Sequence, residues 1–113
     1  MKKRVDKKLW GFEEVFTLNE ASSVKILNVK PGRKFSFQKH KKRDEFWRVI
    51  EGNCRVWLGK KKIKAAPRDE FFIKKGQLHR IEALSKTARV LEISFGKFDA
   101  KDIVRVEDDY GRI

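Results

Sequence analysis

Short runs rich in valine, isoleucine, phenylalanine and tryptophan follow one another through the chain, at 24–29, 35–40, 45–50, 54–58, 61–65, 70–73, 78–83 and 88–95. Several alternate apolar with charged residues, the period of a strand with one face buried. Pro31-Gly32, Glu51-Gly52-Asn53, Gly59-Lys60, Ala66-Pro67 and Lys75-Gly76 punctuate them as turns. Nothing between them is long enough for an amphipathic helix; one helical turn is expected near 99–102, leading into a last strand at 103–106. Closely spaced short strands restrict the fold to an all-β sandwich or small barrel.

A chain of 113 residues, 40% hydrophobic and 12% aromatic, has the size and apolar content of one domain with its own core, expected to span 1–113. No apolar stretch approaches the ~20 residues of a membrane helix. The basic start, Met1-Lys2-Lys3-Arg4, is not followed by the apolar segment of a secretion signal. The one cysteine, Cys54, has no internal partner and falls in a strand, so packing is its expected role and a reducing, cytoplasmic setting is expected. The net charge of +13 draws in anions such as phosphorylated metabolites. It leaves nucleic-acid binding open, but no helix-turn-helix, zinc-finger or aromatic ribonucleoprotein pattern favours it.

The stretch 36–52, SFQKHKKRDEFWRVIEG, carries the residues with chemistry. In a strand, Gln38 and His40 project to one face, with Phe35, Phe37 and Lys39 on the other. Glu45 opens the next strand, and a hairpin between the two is expected to bring its carboxylate opposite Gln38 and His40. Closure of the sheet would bring His79 to the same interior point. A lone histidine among lysines reads as a surface residue; the orderly spacing here argues against that.

Gly32, five residues, Gln38-x-His40, four residues, Glu45, six residues and Gly52 resembles the first motif of the cupins, with Gln38 in place of a histidine. Gly76-x-x-His79 is similar to the second motif, although Lys74 and Ala83 stand where proline and asparagine are usual. Trp10-Gly11-Phe12-Glu13-Glu14-Val15, Pro31-Gly32 and Gln38-x-His40-x-x-Arg43-x-Glu45-x-Trp47 resemble the C-terminal cupin of type II mannose-6-phosphate isomerases. So does the closing run from Asp102 through Ile103-Val104-Arg105-Val106 to Tyr110-Gly111-Arg112. The resemblance covers about residues 9–112 and departs at Lys41 and Lys42, where the family commonly has histidines. Type II enzymes often carry a nucleotidyltransferase in front; this chain has no room for one, so guanylyl transfer is not expected of it.

The resemblance implies an antiparallel double-stranded β-helix, the jelly-roll cupin barrel, and a homodimer. It implies one divalent metal on Gln38, His40, Glu45 and His79, zinc foremost, with manganese, nickel, cobalt or iron as alternatives. It implies interconversion of mannose 6-phosphate and fructose 6-phosphate, or of a related sugar phosphate. Arg43, Arg105 and Lys42 are then the candidates for gripping the phosphate, and Arg105 and Lys42 for catalysis. For Arg105 the plainer role is an ion pair with the acidic run 107–109, and for Arg43 one with Asp44 or Glu51. Trp47, Trp57, Phe71 and Phe72 are expected in the core or an interface, and Trp10 as an anchor of the N-terminal strand. A non-catalytic sugar-phosphate or anion-binding cupin and a different metal-cupin enzyme are the alternatives.

Overall fold

The computed structural model describes residues 3–113. Its strands are β1 (Arg4–Lys8), β2 (Gly11–Val15), β3 (Ser22–Val29), β4 (Phe37–Lys39), β5 (Glu45–Glu51), β6 (Cys54–Leu58), β7 (Lys61–Ala65), β8 (Glu70–Ile73), β9 (His79–Ala83), β10 (Ala88–Phe95) and β11 (Val104–Glu107). They form a four-stranded sheet, β3-β10-β5-β8, a five-stranded sheet, β11-β4-β9-β6-β7, and a two-stranded β1-β2 hairpin. From β3 onward the chain passes from one sheet to the other at nearly every connection. Only β6 and β7 are joined within a sheet, by the two-residue turn Gly59-Lys60. That alternation, with antiparallel neighbours throughout, is the double-stranded β-helix.

The two-residue period sorts each strand between core and solvent. In β6 and β9, Cys54, Val56, Ile81 and Ala83 point inward and are at most 1% exposed, while Arg55, Trp57 and Glu82 face out. Trp47 and Val49 of β5 and Ala88 and Val90 of β10 close the core from the other sheet. Gly52 follows β5 with φ +79°, and a Cβ there would run into the Thr87 carbonyl oxygen. Gly52→Ala is therefore expected to cost at least about 2 kcal/mol, read as a lower midpoint in urea; an unchanged midpoint would contradict this tight approach.

Two local expectations are corrected. The N-terminal segment forms the hairpin β1-β2, whose tip exposes Trp10 at 73%, so this side chain faces solvent instead of anchoring the strand. The hairpin is tied to the body by charge instead: Lys3 and Arg48 both bond Glu14 and Glu70 at 2.8–3.0 Å. Residues 99–102 make a single turn, as expected, closed by the Asp102 N–H on the Asp99 carbonyl at 3.1 Å. Phe35 faces the core beside Trp47, because residues 35 and 36 lie outside β4 and break the alternation.

Candidate metal centre

β4 and β5 do not form a hairpin. Residues 40–44 cross from the five-stranded sheet to the four-stranded one, so His40 and Glu45 face each other between the sheets. β9 lies beside β4 with His79 opposite Gln38, which adds the second imidazole. His40, Glu45 and His79 are all buried, with ligand atoms within 4.8 Å of one another. His40 Nε2 lies 3.7 Å from Glu45 Oε1, and His79 Nε2 lies 3.5 Å from the same oxygen.

Backbone carbonyls fix both tautomers. His40 Nδ1–H donates to the Asp102 carbonyl at 2.7 Å, and His79 Nδ1–H to the Gln77 carbonyl at 2.8 Å. Each ring therefore presents its Nε2 lone pair to the same point, the arrangement found behind metal-ligating histidines. Burial holds both imidazoles below their ordinary pKa, His79 at about 4, so they are neutral at neutral pH. Glu45 Oε1 and His79 Nε2 are buried with no hydrogen-bond partner. Two such atoms facing each other cost free energy unless something satisfies both. A divalent cation fits: bonds of ~2.1 Å at tetrahedral angles separate ligand atoms by about 3.4 Å.

Gln38 shares the inner face with His79, and its Oε1 accepts a hydrogen bond from the buried Ser36 hydroxyl. Arg43 turns into the site: Nε donates to Glu45 Oε2 at 3.0 Å and Nη2 lies 3.2 Å from His40 Nε2. Its partner is thus Glu45 rather than Asp44 or Glu51. Arg105 stands opposite Gln38 on β11, with a buried, unpartnered Nε. The ion pairs with the acidic run go instead to Arg80, which holds Glu107 at 3.0 Å, to Arg112, which holds Asp108 at 2.8 Å, and to Lys34, 3.9 Å from Asp109. Lys42 is exposed, and its backbone N–H donates to the Asp102 carboxylate at 2.9 Å.

A cavity of about 300 Å³ opens beside His40, lined also by Gln38, Arg43, Lys25, Glu92 and Arg112. Glu92, Lys25 and Arg112 carried no role in the sequence reading. Glu92 had a signal: in β10 it shares the parity of Ala88, Val90 and Ser94, all buried, so a carboxyl sits at a core position. Burial and then the adjacent Glu45 charge push Glu92 up to about 8, leaving it protonated at neutral pH. Glu45 also pays for burial, but Glu92, the two imidazoles and Arg43 hold it below the ordinary carboxyl range.

The raised Glu92 favours the folded state while it is protonated, so its contribution is present below the unfolded value near 4.5 and is lost as pH rises through about 8. The depressed His79 works the other way, losing stability as pH falls from about 6.5 through about 4. Between 4.5 and 6.5 the Glu92 slope is opposed by those of both depressed imidazoles, His79 and His40. Metal-free protein is therefore expected to lose about 2 kcal/mol between pH 6.5 and 8, and Glu92→Gln to flatten that slope in urea titrations. A slope unchanged by Glu92→Gln would refute the assignment.

Residues 2–108 match the family described as Mannose-6-phosphate isomerase C-terminal. The chain is 32% identical over 105 residues to the xanthan biosynthesis protein XanB of Xanthomonas campestris pv. campestris, covering 91% of this chain and 22% of that protein. It is 32% identical over 106 residues to the mannose-1-phosphate guanylyltransferase ManC of Salmonella typhimurium, covering 92% and 22%. It thus spans about a fifth of the length of these relatives. A Klebsiella pneumoniae protein with a double-stranded β-helix domain superposes with a TM-score of 0.68 at 19% identity, covering 83% of this chain and 81% of that one. The match over residues 2–108 and the double-stranded β-helix fold agree, and the chain belongs to the mannose-6-phosphate isomerase C-terminal family.

Proposed function

We propose that this chain is a metal-dependent sugar-phosphate isomerase that interconverts mannose 6-phosphate and fructose 6-phosphate. The carrying observation is the convergence of two Nε2 lone pairs and one free carboxylate oxygen beside a cavity with cationic walls. Membership of the family supports the choice of substrate.

Moving a proton between adjacent carbons places negative charge on a sugar oxygen, and a bound divalent ion would supply Lewis-acid stabilisation of that charge. His40, Glu45 and His79 would hold the ion, with Gln38 as a fourth ligand. The chain's own groups do the rest. Lys25 and Arg112, both lining the cavity, would draw in the phosphate, and Arg112 is held in place by Asp108 at 2.8 Å. Arg105, next to Gln38, is a further phosphate candidate. Lys42 is exposed and would act only at the rim. Glu92, buried and protonated, would lend a proton to a sugar oxygen and recover it.

The test is conversion of mannose 6-phosphate by the full chain, stripped by chelator and then reloaded with zinc, manganese or cobalt. Turnover should vanish on stripping and return on reloading. Tight binding of the sugar phosphate without turnover would replace this reading with that of a binding module.

A further inference from the structure

One guanidinium at this site is committed to four partners. Arg43 Nε donates to Glu45 Oε2 at 3.0 Å, Nη2 donates to His40 Nε2 at 3.2 Å and Nη1 donates to the Asp99 carbonyl at 3.1 Å. Its Cζ lies 4.6 Å from the centre of the Phe98 ring. The side chain is 8% exposed and its partner Glu45 2%. His40 has its Nδ1–H on Asp102, so the lone pair that Arg43 takes is the same one an ion would need. Glu45 divides its oxygens: Oε2 serves Arg43 and the Ser94 hydroxyl, while Oε1 stays free toward His79.

We propose that Arg43 is the resident counter-cation of the metal-free site. It balances the buried charge of Glu45 when no ion is bound, and it must release His40 before an ion can be held. Loading is therefore an exchange of one cation for another at His40. Arg43 can keep its bonds to Glu45 Oε2 and Asp99 during the exchange, so only one of its contacts needs to break. The cost of that break sets the affinity and the rate of uptake. This rests on the metal reading above and adds that the site is built to stay ordered without metal.

The test uses chelator-stripped full chain titrated with Co²⁺, followed by its visible absorption. Arg43→Met is expected to bind Co²⁺ at least about tenfold more tightly than wild type and to load faster, since a charge-assisted hydrogen bond no longer opposes ligation. Stripped Arg43→Met should melt below stripped wild type, and Co²⁺ should raise its melting temperature by more. In wild type, loading with diamagnetic Zn²⁺ should shift the Arg43 Nη–H resonances while the Nε–H resonance persists. Weaker or equal Co²⁺ affinity in the variant, or Arg43 Nη–H signals unmoved by Zn²⁺, would overturn the proposal while leaving the metal site standing. Failure of both proteins to take up Co²⁺ would overturn both readings.

Discussion

Glu45→Ala is expected to abolish metal retention and to destabilise the metal-free protein by about 3–5 kcal/mol. The two effects have separate causes. Oε1 is the oxygen that both imidazoles face, at 3.7 and 3.5 Å, so its removal takes away the anionic ligand between two neutral ones. Oε2 is the partner of Arg43, and its removal leaves a guanidinium at 8% exposure without a counter-charge. Glu45→Gln separates the two. It keeps the volume and one carbonyl oxygen, so it should fold, yet bind Zn²⁺ more than about 100-fold more weakly than wild type. Metal content after dialysis and urea unfolding read the two effects. Full metal content in both variants would mean the ion sits elsewhere.

The second large effect is expected at Trp47. The side chain is 0% exposed, packs its edge against Phe35 at 6.2 Å and against His79 at 5.3 Å, and donates its indole N–H to Glu92 at 3.4 Å. Trp47→Ala should cost about 3–5 kcal/mol through lost burial and the cavity left behind. That is a large share of the 5–15 kcal/mol of a typical domain. Because the ring is also the wall that fixes the His79 imidazole, zinc affinity should fall in the same variant. Trp47→Phe should recover most of the stability while leaving Glu92 without its donor. A Trp47→Ala protein with wild-type unfolding midpoint and zinc affinity would show that the ring supports neither core nor site.

The strands at 54–58, 61–65, 70–73 and 88–95 were legible to the residue, because alternation and turn residues act locally and burial rewards the same pattern. β1 and β2 were not. RVDKK and GFEEV offer few apolar residues, and their hairpin is fastened by Lys3, Arg48, Glu14 and Glu70, a contact between distant segments. The spacing brought Gln38, His40, Glu45 and His79 into view as one group. It did not show that Glu45 reaches the site from the opposite sheet, because whether residues 40–44 turn back or cross over depends on how the whole barrel closes. Arg43 lies in the crossing segment outside β5, so its pairing with Glu45 was not given by the strand period. The inward face of Glu92 was readable from its neighbours Val90 and Ser94.

Diffraction from crystals soaked in Co²⁺, with data collected at the cobalt absorption edge, tests the central claim most directly. The expected result is one dominant anomalous peak in contact with His40 Nε2, His79 Nε2 and Glu45 Oε1, lost in His79→Ala. A peak bound by other residues, or none at this point in protein that has taken up the ion, would contradict it.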